Sequence, residues 1–433
     1  MSIPHLQKSL DALLSDVTTA TGHILDRALG GLDITVDEAA RLFDASGTDL
    51  TVLTAAADYL RKKTVGDVVT YVINRNINFT NVCVKACGFC AFSRGHLGEE
   101  GYFLPTEEVI RRAREARDLG ATEVCVQAGL APGMDGWHYV KLCQALKESL
   151  PELHIHGFSP EEVLHGSNLT GATIRDYLSA LKDAGVGSLP GTSAEILVDE
   201  VRDKISPGRI TTTKWVELIQ TAHDLGIPTT STIMYGHVEN SHHRAVHLEI
   251  LRDIQKRTGG ITEFVPLSFV FEEAPISHRK RIPELRTGAS GAEVIKMYAV
   301  SRLMLNNWIP NLQVSWVKEG PKLSQIGLMA GANDFGGTLI NESISTAAGA
   351  GYGQLMKPSQ FRNMIREMGR IPGERSTTYK KIKIFESEEE TVDLLDEVDN
   401  PEERFGSYQR LIRLKDYRFK DFYKDQKNSA PKA

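Results

Sequence analysis

Cys83, Cys87 and Cys90 place three of the chain's five cysteines on one short stretch, separated by three and then two residues. Thiolates at that spacing can wrap one corner of a cubane and ligate three irons, which leaves the fourth iron without a protein ligand. An open iron can take a chelating amine and carboxylate, as S-adenosylmethionine (SAM) supplies, and an electron from the cluster can then cleave the sulfonium bond. Zinc, a disulfide and plain burial are the other readings of the triad. Structural zinc asks for four ligands, commonly as two separated pairs, and the sequence has no second pair. Packing does not readily explain three cysteines on a glycine-containing loop. So few cysteines, so clustered, suit a reducing compartment better than a disulfide framework, which predicts a cytoplasmic protein. Cys125 and Cys143 read as small buried hydrophobes.

The flanking pattern shows what must hold the triad. A β-rich run over 69–79 precedes it, and a helix over 106–119 follows, opened by Glu107 and Glu108 and ended by Gly120. Further strands are expected over 123–127, 153–158, 186–189, 229–235, 262–269, 312–316 and 333–335. Helical periodicity over 137–149, 174–184, 215–225, 244–255, 292–305 and 322–329 separates or follows them, with another helix carrying Ile196, Val201 and Ile205. Alternation of this kind implies a parallel sheet, and eight strands imply an α/β fold of the closed (β/α)8 TIM type, with chemistry on the loops that follow the strands. Leu10, Leu13, Leu14 and Val17, then Ala39, Ala40, Leu42 and Phe43, recur at helical spacing before the barrel. After Gly373 charge rises, with Lys380, Lys381, Glu386 and Glu388 to Glu390. The expected organisation is therefore an N-terminal helical extension over 1–65, a barrel over 66–375 and a solvated, charged C-terminal extension over 376–433.

Composition limits the partners. A net charge of -6 offers no basic stripe for a phosphate backbone, so neither nucleic acid nor an anionic membrane surface is an expected partner. At 41% hydrophobic and 24% charged residues the chain has ample material for a core. Met1 to Ala20 lack the continuous apolar stretch of a secretory leader, and no segment reads as a bilayer span.

The triad's spacing, with Phe89 before the last cysteine, resembles the radical SAM superfamily signature. Further stretches narrow the likeness: HIHGFSPEE from His154, PGTSAEIL from Pro190, TTSTIMYGHVE from Thr229, EFVPLSF from Glu263, QVSWVK from Gln313 and GANDFGGTLINESIS from Gly331. Together they are similar to the CofH family, the second subunit of FO synthase, over roughly residues 60 to 375. The resemblance implies a [4Fe-4S] cluster and SAM as cosubstrate. It further implies a 5'-deoxyadenosyl radical that takes hydrogen from L-tyrosine, whose side chain fragments and joins 5-amino-6-(D-ribitylamino)uracil on the way to a deazaflavin chromophore. A companion radical SAM subunit, CofG, completes the ring in that family, and an electron donor is required; one triad in this chain matches an unfused subunit performing one radical step. The menaquinone-pathway relatives, aminofutalosine synthase and dehypoxanthine futalosine cyclase, share the triad and much of the barrel; Thr192 and Ser193 favour CofH. A non-catalytic iron-sulfur or zinc protein is the reading from another class, and a carrier would normally give its cluster a fourth protein ligand.

The same resemblance suggests roles elsewhere. His154 and His156 leave one face of the third strand and could bond the uracil, move protons or be core histidines. Ser159, just past that strand, is a candidate contact to SAM or substrate. Gln127, Ala128 and Gly129 stand where the superfamily commonly has a Gly-Gly-Glu-like segment near the SAM amino group; Gly129 permits close backbone approach, while Leu130 replaces the acid, which excludes a carboxylate role for that position. Glu195, read as starting a helix, and Arg202, two turns on, are candidates for the SAM amine or ribose and the SAM carboxylate. Glu239 and His237 fall where the superfamily approaches the adenine. Asn333 and Asp334, beside Gly336 and Gly337, are expected on the last barrel loop, with Asp334 a candidate for substrate chemistry or a turn former. Met297 and Met304 read as helix packing.

Overall fold

The computed structural model describes residues 3–85, 87–279, 282–387 and 392–421. Among the described residues nine strands are formed: β1 Val68–Val72, β2 Asn74–Ile77, β3 Glu123–Val126, β4 His154–His156, β5 Thr229–Tyr235, β6 Ile261–Ser268, β7 Asp334–Gly337, β8 Ile371–Arg375 and β9 Lys381–Ile384. β2, β3 and β4 pair in parallel, as do β5 and β6, and β1 pairs in parallel with β7. Single bridges close the gaps. His156 to Ser188 and Leu189 to Thr229 make the fourth barrel position, Phe264 to Leu312 and Gln313 to Asp334 make the seventh, and Arg75 to Ile340 seals the ring. The result is the expected eight-position parallel barrel.

The run expected as one strand over 69–79 divides at Ile73 because its two halves serve different neighbours. β1 lies between β7 and β8, whereas β2 pairs with β3. The seventh position is shorter than expected: Trp316 instead opens the helix Trp316–Glu319, and its indole N–H donates to the Gly337 carbonyl at 2.9 Å. Several helices escaped the periodicity, among them Pro358–Arg366 and one that bears on the site. Pro160–Thr170 follows β4, capped reciprocally by Ser159 and Glu162 with Pro160 in the first turn.

The helices Thr19–Leu29, Val36–Phe43 and Gly47–Val65 bury Ile24, Leu25, Leu42, Phe43, Leu53 and Leu60, whereas Pro4–Ser15, which carries Leu10, Leu13 and Leu14, buries nothing. The C-terminal part departs further from expectation. β8 joins the barrel beside β1, and β9 pairs antiparallel to it. Beyond them Leu395, Phe405, Tyr408, Leu411 and Phe419 are buried, and Phe419 packs with Val82 next to the cysteine loop. Apolar side chains spaced among the charges explain why this stretch covers the barrel instead of trailing in solvent. Glu388 to Glu390 and the Lys-rich end lie outside the described residues. Among the described residues no helix is long and apolar enough to cross a membrane.

Candidate active site

The cysteine loop leaves the C-terminal end of β2 and is tied down by backbone bonds from several elements. Cys83 N–H donates to Arg94 O at 3.2 Å, Val84 N–H to Leu130 O at 2.9 Å and Gly88 N–H to Ile205 O at 2.8 Å, while Gly88 O accepts from Ile276 N–H at 2.7 Å. Two glycines permit this packing. A Cβ on Gly129 would stand 2.3 Å from Val82 O, and one on Gly88 would stand 3.0 Å from Ile205 O. All three thiols are free and line a cavity of about 410 Å³. Burial pushes the Cys87 thiol up to about 12, with the Arg209 guanidinium pulling the other way, and burial raises Cys90 likewise.

Among the described residues no three His, Cys, Asp or Glu side chains converge on a point as a single metal ion requires. A cubane takes its three thiolates at three different irons, so the donor set fits a [4Fe-4S] cluster without such convergence. The surroundings fit too. Arg209 stacks over Phe89 at 5.8 Å, reaches Cys87 Sγ at 3.5 Å and pairs with Glu195 at 3.3 Å, while its buried Nε lies 3.5 Å from Glu161 Oε2 and makes no hydrogen bond among the described residues. A cation beside the triad stabilises the thiolate form that metal ligation needs.

At the next strand end, Gln127 Oε1 accepts from Thr192 Oγ at 3.0 Å, and the Ala128 N–H donates to Glu162 Oε1 at 2.9 Å. Sequence reasoning excluded a carboxylate here because Leu130 replaces the acid; the fold restores one from helix Pro160–Thr170. Burial raises the Glu162 carboxyl to about 7 against the hydrogen bonds of Ser159 and Ala128. Ser159 lines the cavity, but its hydroxyl donates to Glu162 at 2.6 Å and caps that helix, so positioning is its visible task.

Glu195 also lines the cavity, though not as a helix start: its φ is 38°, and the helix begins only at Asp199. Arg202 is turned away from the cavity. Its guanidinium donates to the carbonyls of Ser193, Ala194 and Ile210, which braces the turn that presents Glu195 and leaves Arg209 to face the thiols.

Of the other candidates, all but His156 fall outside the cavity wall. Glu239 accepts from Gly236 N–H and His237 N–H and pairs with Arg244 and Arg286, a buried knot after β5. His237 Nε2–H donates to Met234 O at 2.9 Å, and its Nδ1 accepts from Val238 N–H at 2.8 Å. Asn333 Oδ1 accepts from Arg302 and Leu312 N–H. Asp334, on β7 and not on a loop, is fully buried against Arg375 at 2.5 Å, Thr70 and Gly336 N–H. His156 lines the cavity; His154 does not, although both reach Ser188.

The cavity runs from the thiols to a polar floor of Asn74, Glu123, Glu263, Gln313 and Arg375, none of them singled out from the sequence. Glu263 opened one of the motifs noted there, and Glu161 and Glu162 closed another, so their types were visible and their convergence was not. Arg375 and Arg209 carried no local signal. Their positions depend on β8 and on the turn around Arg202 respectively.

A closed parallel barrel that presents three free thiols on the loop after its first strand defines a radical SAM enzyme. Residues 77–251 match the radical SAM superfamily, and residues 258–388 match the CofH/MqnC C-terminal region. Among solved structures, methylornithine synthase (PylB) shares the fold at a TM-score of 0.60 and 19% identity, covering 81% of this chain and 97% of that one. The [FeFe]-hydrogenase maturase HydG does so at 0.63 and 16%, covering 85% and 79%. The chain is 47% identical over 368 residues to the 5-amino-6-(D-ribitylamino)uracil--L-tyrosine 4-hydroxyphenyl transferase of Methanothermobacter thermautotrophicus, covering 85% of this chain and 99% of that one. The protein of that name from Methanocaldococcus jannaschii is also 47% identical, over 80% and 97% of the two chains. This chain belongs to that transferase family.

Proposed function

We propose that this chain transfers the 4-hydroxybenzyl group of L-tyrosine to 5-amino-6-(D-ribitylamino)uracil in deazaflavin coenzyme biosynthesis. The observation that carries the reading is the continuous cavity leading from Cys83, Cys87 and Cys90 to a floor rich in hydrogen-bonding groups, in a chain 85% of which is covered by its likeness to a transferase of that name. A [4Fe-4S] cluster on the three thiolates, with SAM bound, supplies a primary carbon radical. The backbone at Ala128 and Gly129, with Glu162, Glu195 and Arg209, would hold SAM. Val265, Leu267 and Phe269 wall the middle of the cavity, where an apolar lining excludes water and keeps polar hydrogens away from a reactive carbon. Glu123, His156, Glu263, Gln313 and Arg375 at the floor supply the donors and acceptors that a ureide ring and a polyol chain require. Orientation is the protein's main contribution, since productive transfer needs the reacting atoms in contact before the radical forms. The setting is the cytoplasm, with CofG as functional partner and a separate electron donor.

The test is anaerobic incubation of reconstituted protein with SAM, dithionite, tyrosine and the diaminouracil, followed by mass spectrometry. A tyrosine-dependent adduct is expected. Absence of the adduct, with turnover of a futalosine substrate instead, overturns the assignment.

A further inference from the structure

His154 and His156 leave the same face of β4, and the fourth barrel position sets Ser188 between them. His154 Nε2 lies 2.8 Å and His156 Nδ1 lies 2.7 Å from Ser188 Oγ. A serine hydroxyl has one hydrogen, so it donates to one ring and accepts from the other. With neutral rings this permits two arrangements. Either both histidines carry their hydrogen on Nε2, or both carry it on Nδ1.

The outer nitrogens of the pair face different places. His156 lines the cavity, while His154 does not line it, keeps partial exposure and is the first residue of β4, at the end of the barrel opposite the thiols. Among the described residues no hydrogen bond caps His156 Nε2 or His154 Nδ1. Close packing fixes the outer ring: a Cβ on Gly187 would stand 2.4 Å from it. The charged groups facing the pair are Glu123 toward both rings, Lys147 toward His154 and Arg375 toward His156. Burial lowers both imidazoles, His156 to about 4, which keeps them neutral and able to exchange tautomers.

We propose that His156, Ser188 and His154 form a proton wire joining the catalytic cavity to solvent at the thiol-distal end of the barrel. The need for one rests on the transfer proposed above. Both C5 and C6 of the diaminouracil already carry nitrogen, so a new bond at a ring carbon is balanced by loss of an N–H hydrogen. When the benzyl group arrives as a radical, that hydrogen leaves as a proton and an electron, the electron passing to a one-electron acceptor of the iron-sulfur class. The proton is taken up at His156 Nε2; Nδ1–H then passes to Ser188 Oγ, the Ser188 hydrogen passes to His154 Nε2, and His154 Nδ1–H is released to water. One proton out converts the pair from both Nδ1–H to both Nε2–H; after product release, water in the open cavity takes the His156 Nε2–H, His154 regains a hydrogen on Nδ1 from water outside, and the relay through Ser188 runs back to the first state.

Ser188→Ala interrupts the path while keeping both rings, and Ser188→Thr keeps the hydroxyl. In the reconstituted holoenzyme with tyrosine and the diaminouracil, the adduct formed per 5'-deoxyadenosine is expected to fall about tenfold or more in Ser188→Ala and to recover in Ser188→Thr. In the oxidised holoenzyme, 15N spectra of labelled histidine should show matched tautomers for His154 and His156, with the match lost in Ser188→Ala. An unchanged adduct ratio in Ser188→Ala, or unmatched tautomers in the parent protein, overturns the wire. If the parent protein forms no adduct at all, the transferase reading falls, and the tautomer spectra still decide the wire.

Discussion

Replacing Arg375 by methionine would leave two buried carboxylates facing each other across the barrel floor. Arg375 Nε and Nη2 donate to Asp334 at 2.5 and 2.9 Å, Nη2 reaches Glu263 at 3.4 Å, and the guanidinium lies 4.0 Å over the Tyr379 ring. Methionine preserves most of the stem and removes the charge. Asp334 would keep the Gly336 N–H at 2.8 Å and the Thr70 hydroxyl, with no cation. Glu263 can neutralise itself, because burial already raises it to about 7 with Arg375 opposing; the uncompensated charge therefore falls on Asp334. Breaking a buried pair in this way costs about 3–5 kcal/mol. At about 1.4 kcal/mol per factor of ten, the folding constant should drop by roughly three powers of ten. The deficit should grow with pH, since a carboxyl whose folded value is raised further stabilises the protein only at pH values below its titration. Urea unfolding of the apoprotein, followed by fluorescence of the buried Trp215 and Trp316, measures the loss. In a cycle with Asp334→Asn the coupling should be about 2 kcal/mol or more. A loss under about 1 kcal/mol, or no coupling, would refute the view that Asp334 is held structurally by Arg375 and is not free for chemistry.

Three other outcomes are expected. Gly129→Ala forces a Cβ to 2.3 Å from the Val82 carbonyl, so the chain should fold with a loss of about 1–3 kcal/mol but retain much less iron after reconstitution; full iron content would contradict the close approach. Burial raises Glu319 to about 7, beneath the donating hydroxyls of Tyr235 at 2.8 Å and Tyr298 at 2.6 Å. Its contribution to stability is full below the unfolded carboxylate range and is lost as pH rises through about 7, so Glu319→Gln should flatten the fall in apoprotein stability between pH 5 and 8, and equal slopes would count against it. Removing residues beyond 392 uncovers the barrel under Tyr408, whose ring lies 5.4 Å from Phe92, and should speed bleaching of a reconstituted cluster in air; an unchanged rate would show that this segment does not shield the loop.

The triad, the barrel and the family were legible from sequence because each rests on short-range pattern. Three cysteines within one loop need no distant partner to declare themselves, and alternating strand and helix periods announce a parallel sheet whatever the packing. Assigning side chains to the cavity was another matter. Arg202 and Arg209 are seven positions apart and alike in type, yet one is consumed by the carbonyls of its own turn and the other faces Cys87. Asp334 fell in a run expected as the eighth strand and beside glycines expected as the last loop; pairing with β1 makes it strand and Arg375 locks it. Glu162 brings a carboxylate to the Ala128 N–H from a helix that the periodicity missed, and Arg375 is the last residue assigned to the barrel, at a position where no strand was expected. Composition and periodicity report what a residue is and which local element it joins. Which of two like charges enters a closed lumen depends on partners far along the chain, because the cost of burying a charge is met only by the groups that folding brings beside it.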